Sequence, residues 1–235
     1  MEKIRFWEID FARGIAIIIM IIYHLVFDLN YFGFISVNMY NGFLGIFQKI
    51  IAVSFITLVG ISLTLTSNLK SNKRIIKKGI IVFAFGLLLT LVTFIFIKEN
   101  TIYFGILHFI GLSIILSVIF LRFFKLNLLI GILLIILGNI VNKINIDFPL
   151  LIIFGITFKG FTTLDYFPLL PWFGLILIGI FVGGLLYKNN QRMFKLFNEP
   201  KRLSFLQFLG KRSLVIYLIH QPILISIVYL LRIIK

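Results

Sequence analysis

An all-α membrane bundle of about seven spans is the fold class predicted by this 235-residue sequence, and three observations predict it. Sixty per cent of residues are apolar and only 13% are charged, where a soluble domain has ~45–50% and ~25%. The apolar residues fall into seven long runs without regular alternation. The basic residues between those runs fall mostly on alternate connections. A soluble chain of this size could not bury so much apolar surface, which excludes a cytosolic enzyme, a nucleic-acid-binding module and a disordered chain. The formal net charge of +15 fits basic loops gathered on the cytoplasmic side, so no nucleic-acid partner is expected.

The runs lie at residues 10–30, 43–66, 78–97, 103–121, 126–142, 167–187 and 212–232. Crossing ~30 Å of hydrocarbon takes about 20 helical residues, and a closed barrel would need ~10-residue alternating segments instead. The first run is expected to stay in place as a span, because it has no small-x-small site behind it. The fifth run is short. The stretch 143–166 mixes Asp147, Pro149, Lys159 and Asp165 with apolar residues and is expected to form a loop with a half-inserted segment. Pro168, Pro171 and Trp172 suit the membrane entrance of the sixth helix. Gly60, Ser62, Thr64, Gly174, Gly179, Gly183 and Gly184 permit close helix approach.

Charge sets the expected orientation. Sixteen basic residues occupy the amino terminus and the connections after runs two, four and six, against five on the other side. The positive-inside rule then places the amino terminus in the cytoplasm and the carboxyl terminus outside. The whole chain, 1–235, reads as one transmembrane domain in the cell membrane, with the bilayer as its first partner and a homo-oligomer left open. With no Cys there is no thiolate nucleophile or Cys-ligated metal. No His pair has i, i+4 spacing, so no metal is expected.

Ionisable groups within a span are costly and usually functional. The first run carries Asp10, Arg13, His24 and Asp28. At ~100° per residue, His24 lies ~20° from Arg13, and Asp10 and Asp28 each ~60°. One narrow face therefore holds all four. Asp10 and Arg13 are spaced to pair. Asp28, four residues after His24, can bond one imidazole nitrogen and leave the other to take a proton, as an oriented general base does. His108 and His220, with Tyr217, are further candidates. On the expected topology His24 and His108 lie toward the outer side, and His220 lies toward the middle or the cytoplasmic side. The same stripe would also suit a multipass transporter or proton-coupled permease, and a purely structural protein is a third reading.

Several motifs carry a resemblance. Ile9-Asp10-Phe-Ala-Arg13-Gly14-Ile-Ala with Met20 and His24 is similar to the opening of the heparan-alpha-glucosaminide N-acetyltransferase catalytic-domain family, within the transmembrane acyltransferases. Gly105-Ile-Leu-His108-Phe-Ile-Gly111-Leu, Pro171-Trp172-Phe-Gly174, Leu209-Gly-Lys-Arg-Ser213-Leu and Tyr217-Leu-Ile-His220-Gln221-Pro222 follow in order. Arg13, ten residues and His24 are also similar to the first-helix pattern of the acyltransferase-3 group, whose histidine is regarded as catalytic. In the lysosomal members the proposed active histidine lies in the loop after the first helix, where this chain has Asn30 to Gly42 and no His.

The resemblance implies acyl transfer from acetyl-CoA, on the cytoplasmic side, to a hydroxyl or amine of a cell-envelope glycan or glycolipid. His24, oriented by Asp28 and accompanied by Asp10 and Arg13, is then the expected base. Lys73, Arg74, Lys201, Arg202, Lys211 and Arg212 are the cations expected to meet the CoA phosphates.

Overall fold

The computed structural model describes residues 5–39, 41–67, 71–188, 191–196 and 200–234. Helices stand at all seven apolar runs: α1 (Trp7–Tyr31), α2 (Gly42–Ser67), α3 (Asn72–Phe96), α4 (Ile106–Phe120), α5 (Phe124–Val141), α6 (Leu169–Leu186) and, after the short α7 (Ser204–Lys211), α8 (Ser213–Ile234). Six of them are long and apolar enough to cross a membrane. The remaining one, α4, has 15 residues and spans only ~22 Å at 1.5 Å per residue. The chain is thus an all-α, multi-pass integral membrane protein. Its outward-facing Ile, Leu and Phe, such as Phe94, Phe96, Leu129 and Leu230, belong in lipid rather than water.

Two compact units divide the chain. One comprises Met1–Leu58 with Lys195–Lys235, the other Val59–Phe194, so the boundary falls within α2.

In the first unit, α1 starts after Phe6 with Glu8 and Asp10 in its first turn, where acidic groups favour the positive end of the helix dipole. Against its first half lies α7, an eight-residue helix outside all seven apolar runs. The approach is close enough that a Cβ on Gly14 would strike the Leu206 carbonyl, and one on Gly210 the Asp10 carbonyl. Residue 14 meets 206 and residue 10 meets 210, so the two helices run antiparallel. At the other end of α1, Gly33 takes φ +80°, a conformation that suits glycine. The chain reverses there, and Phe34 N–H reaches the Leu29 carbonyl at 2.9 Å.

The second unit holds α3 to α6. Gly131 of α5 and Gly174 of α6 face each other so closely that a Cβ on either would meet the other's carbonyl. Thr64 donates to the Ile180 carbonyl at 3.0 Å, and Gly60 lies on the Ile176 carbonyl. Small residues therefore bring these helices together, as their sequence suggests. Lys73, Arg74, Lys77 and Lys78 lie within the opening turns of α3 rather than in a loop. Between α5 and α6 the chain makes a 3-10 turn, Pro149–Phe154. Its fold is held by Tyr166 Oη donating to the Ile152 carbonyl (2.7 Å) and Ile146 N–H to the Thr157 carbonyl (3.0 Å).

Candidate active site

The polar face of α1 resolves into two clusters within the first unit. At the amino-terminal end, Arg13 Nη1 meets Asp10 Oδ1 at 3.0 Å, and Arg5 Nη1 stands 3.8 Å from Asp10 Oδ2. Asp10 is buried, so paired cations lower the cost of its charge. The expected Asp10–Arg13 pair is therefore present. Gln207 of α7 is also buried, and its Nε2 has no hydrogen-bond partner. Nothing in the sequence singled out Gln207, because α7 is too short to show a periodic pattern.

Three turns further along α1, His24 meets His220 of α8 edge to face, ring centroids 4.9 Å apart. The two histidines therefore share a level, which corrects the expectation that they lie at different depths, His24 toward the outer side and His220 toward the middle or the cytoplasmic side. Counting residues along each run does not fix relative depth, because it says nothing of how two helices that the intervening chain separates are aligned along one another; α8 itself begins at Ser213, where the run was expected. Tyr217 completes the group, its ring centroid 5.3 Å from that of His220.

The expected His24–Asp28 hydrogen bond is not formed. His24 Nδ1 instead lies 2.9 Å from the Met20 carbonyl. A carbonyl only accepts, so Nδ1 carries the proton and Nε2 presents its lone pair. The backbone one turn earlier thus fixes the tautomer that Asp28 was expected to fix. His220 repeats the arrangement, with Nδ1 2.6 Å from the Tyr217 carbonyl and Nε2 buried without a partner.

Asp28 is 2% exposed. It turns to α8, where Gln221 Nε2 donates to its Oδ1 at 2.7 Å. Asp28 Oδ2 and Gln221 Oε1 are both buried and unpaired. The orphaned atoms beside the two imidazoles are thus a carboxylate oxygen, an amide oxygen and an imine nitrogen. All three accept, and none donates. Buried acceptors of this kind are ordinarily paired with a donor.

His108 belongs to the second unit and is engaged at both nitrogens. Gly105 N–H approaches its Nδ1 at 3.3 Å, and its Nε2 lies 3.1 Å from Thr90 Oγ1, which donates to the Ile102 carbonyl at 2.6 Å. This closed chain leaves no imidazole lone pair for an incoming proton. Asp165 Oδ2 accepts from Ile106 N–H at 2.8 Å and caps the start of α4 from a distance of 59 residues.

A cleft of about 510 Å³ lies in the first unit, lined by Arg5, Phe208, Lys211, Arg212, Leu214 and Val215. Two of the expected donor-binding cations, Lys211 and Arg212, line it. Arg5, read from sequence only as an orientation signal, joins them. Arg202 is exposed outside this lining, and Lys73 and Arg74 are exposed at the start of α3 in the second unit. The side chain of Lys201 lies outside the described residues, as do Lys3 and Lys70. Among the described residues no three His, Cys, Asp or Glu side chains converge as a metal site.

No curated protein and no solved structure matches the chain. A family model does match it: heparan-alpha-glucosaminide N-acetyltransferase, catalytic, spans residues 5–222. That range runs from Arg5 of the cationic cleft to the residue after Gln221, so it takes in every element of both clusters. The chain belongs to the heparan-alpha-glucosaminide N-acetyltransferase catalytic family, a family of membrane acetyltransferases.

Proposed function

We propose that this chain moves an acetyl group from acetyl-CoA to a hydroxyl or amine of a cell-envelope sugar or glycolipid, with His24 as the general base. The observation that carries this reading is the His24 tautomer. Its Nδ1–H is held by the Met20 carbonyl, which leaves Nε2 free to accept, in a chain whose family is an acetyltransferase family.

Each group has a task in the step. Nε2 of His24 takes the proton from the acceptor O–H or N–H as the acceptor atom bonds to the thioester carbonyl carbon. The C–S bond then breaks, and the CoA sulfur leaves as a thiolate. The proton returns from the imidazolium to that sulfur. Asp28 and Gln221 supply acceptors for further donor groups on the sugar. Arg5, Lys211 and Arg212 attract the CoA phosphates to their cleft, where charge-assisted hydrogen bonds are strong. Arg13, neutralised by Asp10, supports the helix end and takes no part in the proton transfer.

The test uses purified protein in lipid nanodiscs with radiolabelled acetyl-CoA and an extract of envelope glycans and glycolipids. The reading predicts label in a sugar-containing product, with one CoA thiol released per acetyl transferred. Uptake of a solute into sealed vesicles without any CoA-dependent product would favour the permease reading instead.

A further inference from the structure

The carboxyl-terminal end of α1 carries a second cleft that the proton-transfer chemistry leaves unused. Its volume is about 290 Å³, and Phe27, Asn30, Tyr31, Val37, Asn38 and Met39 line it. That volume is at the lower end for small-molecule sites and suits one sugar ring rather than a lipid chain.

Its walls are built, not incidental. The reversal at Gly33 returns residues 34–39 to the helix end. Val37 N–H donates to Asn30 Oδ1 at 2.8 Å, and Tyr23 Oη donates to the Met39 carbonyl at 3.4 Å. Phe27 and Tyr31 lie nearly parallel, 15° between ring planes at 6.3 Å. Phe27 supports one side of Tyr31, and Tyr31 is 58% exposed. A supported, exposed aromatic face offers a surface for the axial C–H groups of a sugar. With Oδ1 of Asn30 committed to Val37, its Nδ2 remains to donate to a sugar hydroxyl. Apolar surface beside a fixed amide suits a carbohydrate better than an acyl chain, which has no use for the donor.

Position links this cleft to the base. Tyr31 follows His24 by seven residues, about 20° around the helix and about 10 Å along it. A sugar on Tyr31 would direct its neighbouring ring along α1 toward His24 and Asp28. We infer that the Phe27–Asn30–Tyr31 cleft is a carbohydrate subsite that seats the acceptor glycan one ring away from the acetylated group. This inference rests on the acetyltransferase reading for its role, but not for its test.

The test is saturation-transfer NMR with chitobiose, on protein in phosphatidylcholine nanodiscs free of sugar detergents and of acetyl-CoA. Wild-type protein should pass saturation to the sugar ring protons, and Tyr31→Phe should keep this. Tyr31→Ala should weaken apparent affinity about tenfold, the scale of one aromatic contact of ~1.4 kcal/mol. Asn30→Asp keeps the oxygen that holds Val37 and removes the Nδ2 donor, so it should weaken binding while the loop stays folded. No transfer in the wild type, or equal transfer in wild type and Tyr31→Ala, overturns the inference. Tyr31-dependent sugar binding in a protein that moves no acetyl group would uphold the cleft and overturn the enzymatic reading. Acetyl transfer indifferent to Tyr31 would do the reverse.

Discussion

At the scale of single residues, what was legible was the set of costly groups on α1, and what was not was their partners. Asp10, Arg13, His24 and Asp28 announce one polar face because ionisable groups in an apolar run need a reason. Their spacing correctly paired Asp10 with Arg13. It mispaired His24 with Asp28, because i, i+4 spacing permits a contact without excluding better ones. A backbone carbonyl at Met20 and an amide 193 residues away at Gln221 took the two groups, and no local pattern encodes the second. The Asp28–Gln221 contact carries a prediction. Gln221→Leu removes the donor to a buried carboxylate and should cost ~1–3 kcal/mol of stability. Asp28→Asn keeps an acceptor for Gln221 and should retain part of the acetyl transfer. The double variant should lose less stability than the sum of the singles, measured by thermal unfolding in detergent. Additive losses would mean that the two groups act apart.

At the scale of elements, the seven apolar helices were visible and α7 was not. Eight residues with two buried positions, Gln207 and Gly210, give too little pattern to separate a helix from a loop. Yet α7 brings Phe208 and Lys211 to the cationic cleft. Charge reversal at Lys211→Glu with Arg212→Glu should raise the acetyl-CoA KM by at least about tenfold, with kcat little changed, as loss of ground-state binding does. An unchanged KM would leave these cations as orientation signals alone.

The cap on α4 gives a pH prediction in the second unit. Burial pushes the Asp165 carboxyl up to about 6, against the pull of the Ile106 amide. A carboxyl raised in the fold binds its proton more tightly there than in the unfolded chain. Its ionised form therefore penalises the fold above about pH 6, and the penalty fades as pH falls toward about 4. Asp165→Asn keeps an acceptor for Ile106 and should raise the melting temperature at about pH 8, with little effect near pH 4–5. A variant less stable than wild type at about pH 8 would reverse the sign.

At the scale of the whole molecule, composition alone carried the membrane assignment, and charge asymmetry sets the expected orientation. The structure refines where orientation is best read. Residue 75 lies inside α3, so a reporter belongs after Ser71, and a second one after Pro200. Both should report the cytoplasm if the positive-inside rule holds here, and an external signal from either would reject the arrangement. The meeting of α1 with α8 was not legible at this scale. Pairing of the first and last spans depends on how the intervening chain returns, and apolar runs of similar composition do not encode that.

The most direct measurement is acetyl transfer by folded His24 variants. Wild type, His24→Ala and His24→Gln would be purified in nanodiscs, matched for melting temperature and acetyl-CoA binding, and assayed for acetylated sugar product. A general base in this position predicts a loss of ~100-fold or more in kcat for both variants, since the amide of Gln can hydrogen-bond but cannot carry the proton. Transfer at the wild-type rate by a folded, donor-binding His24→Ala protein would contradict the assignment and move the base to its ring neighbour, His220.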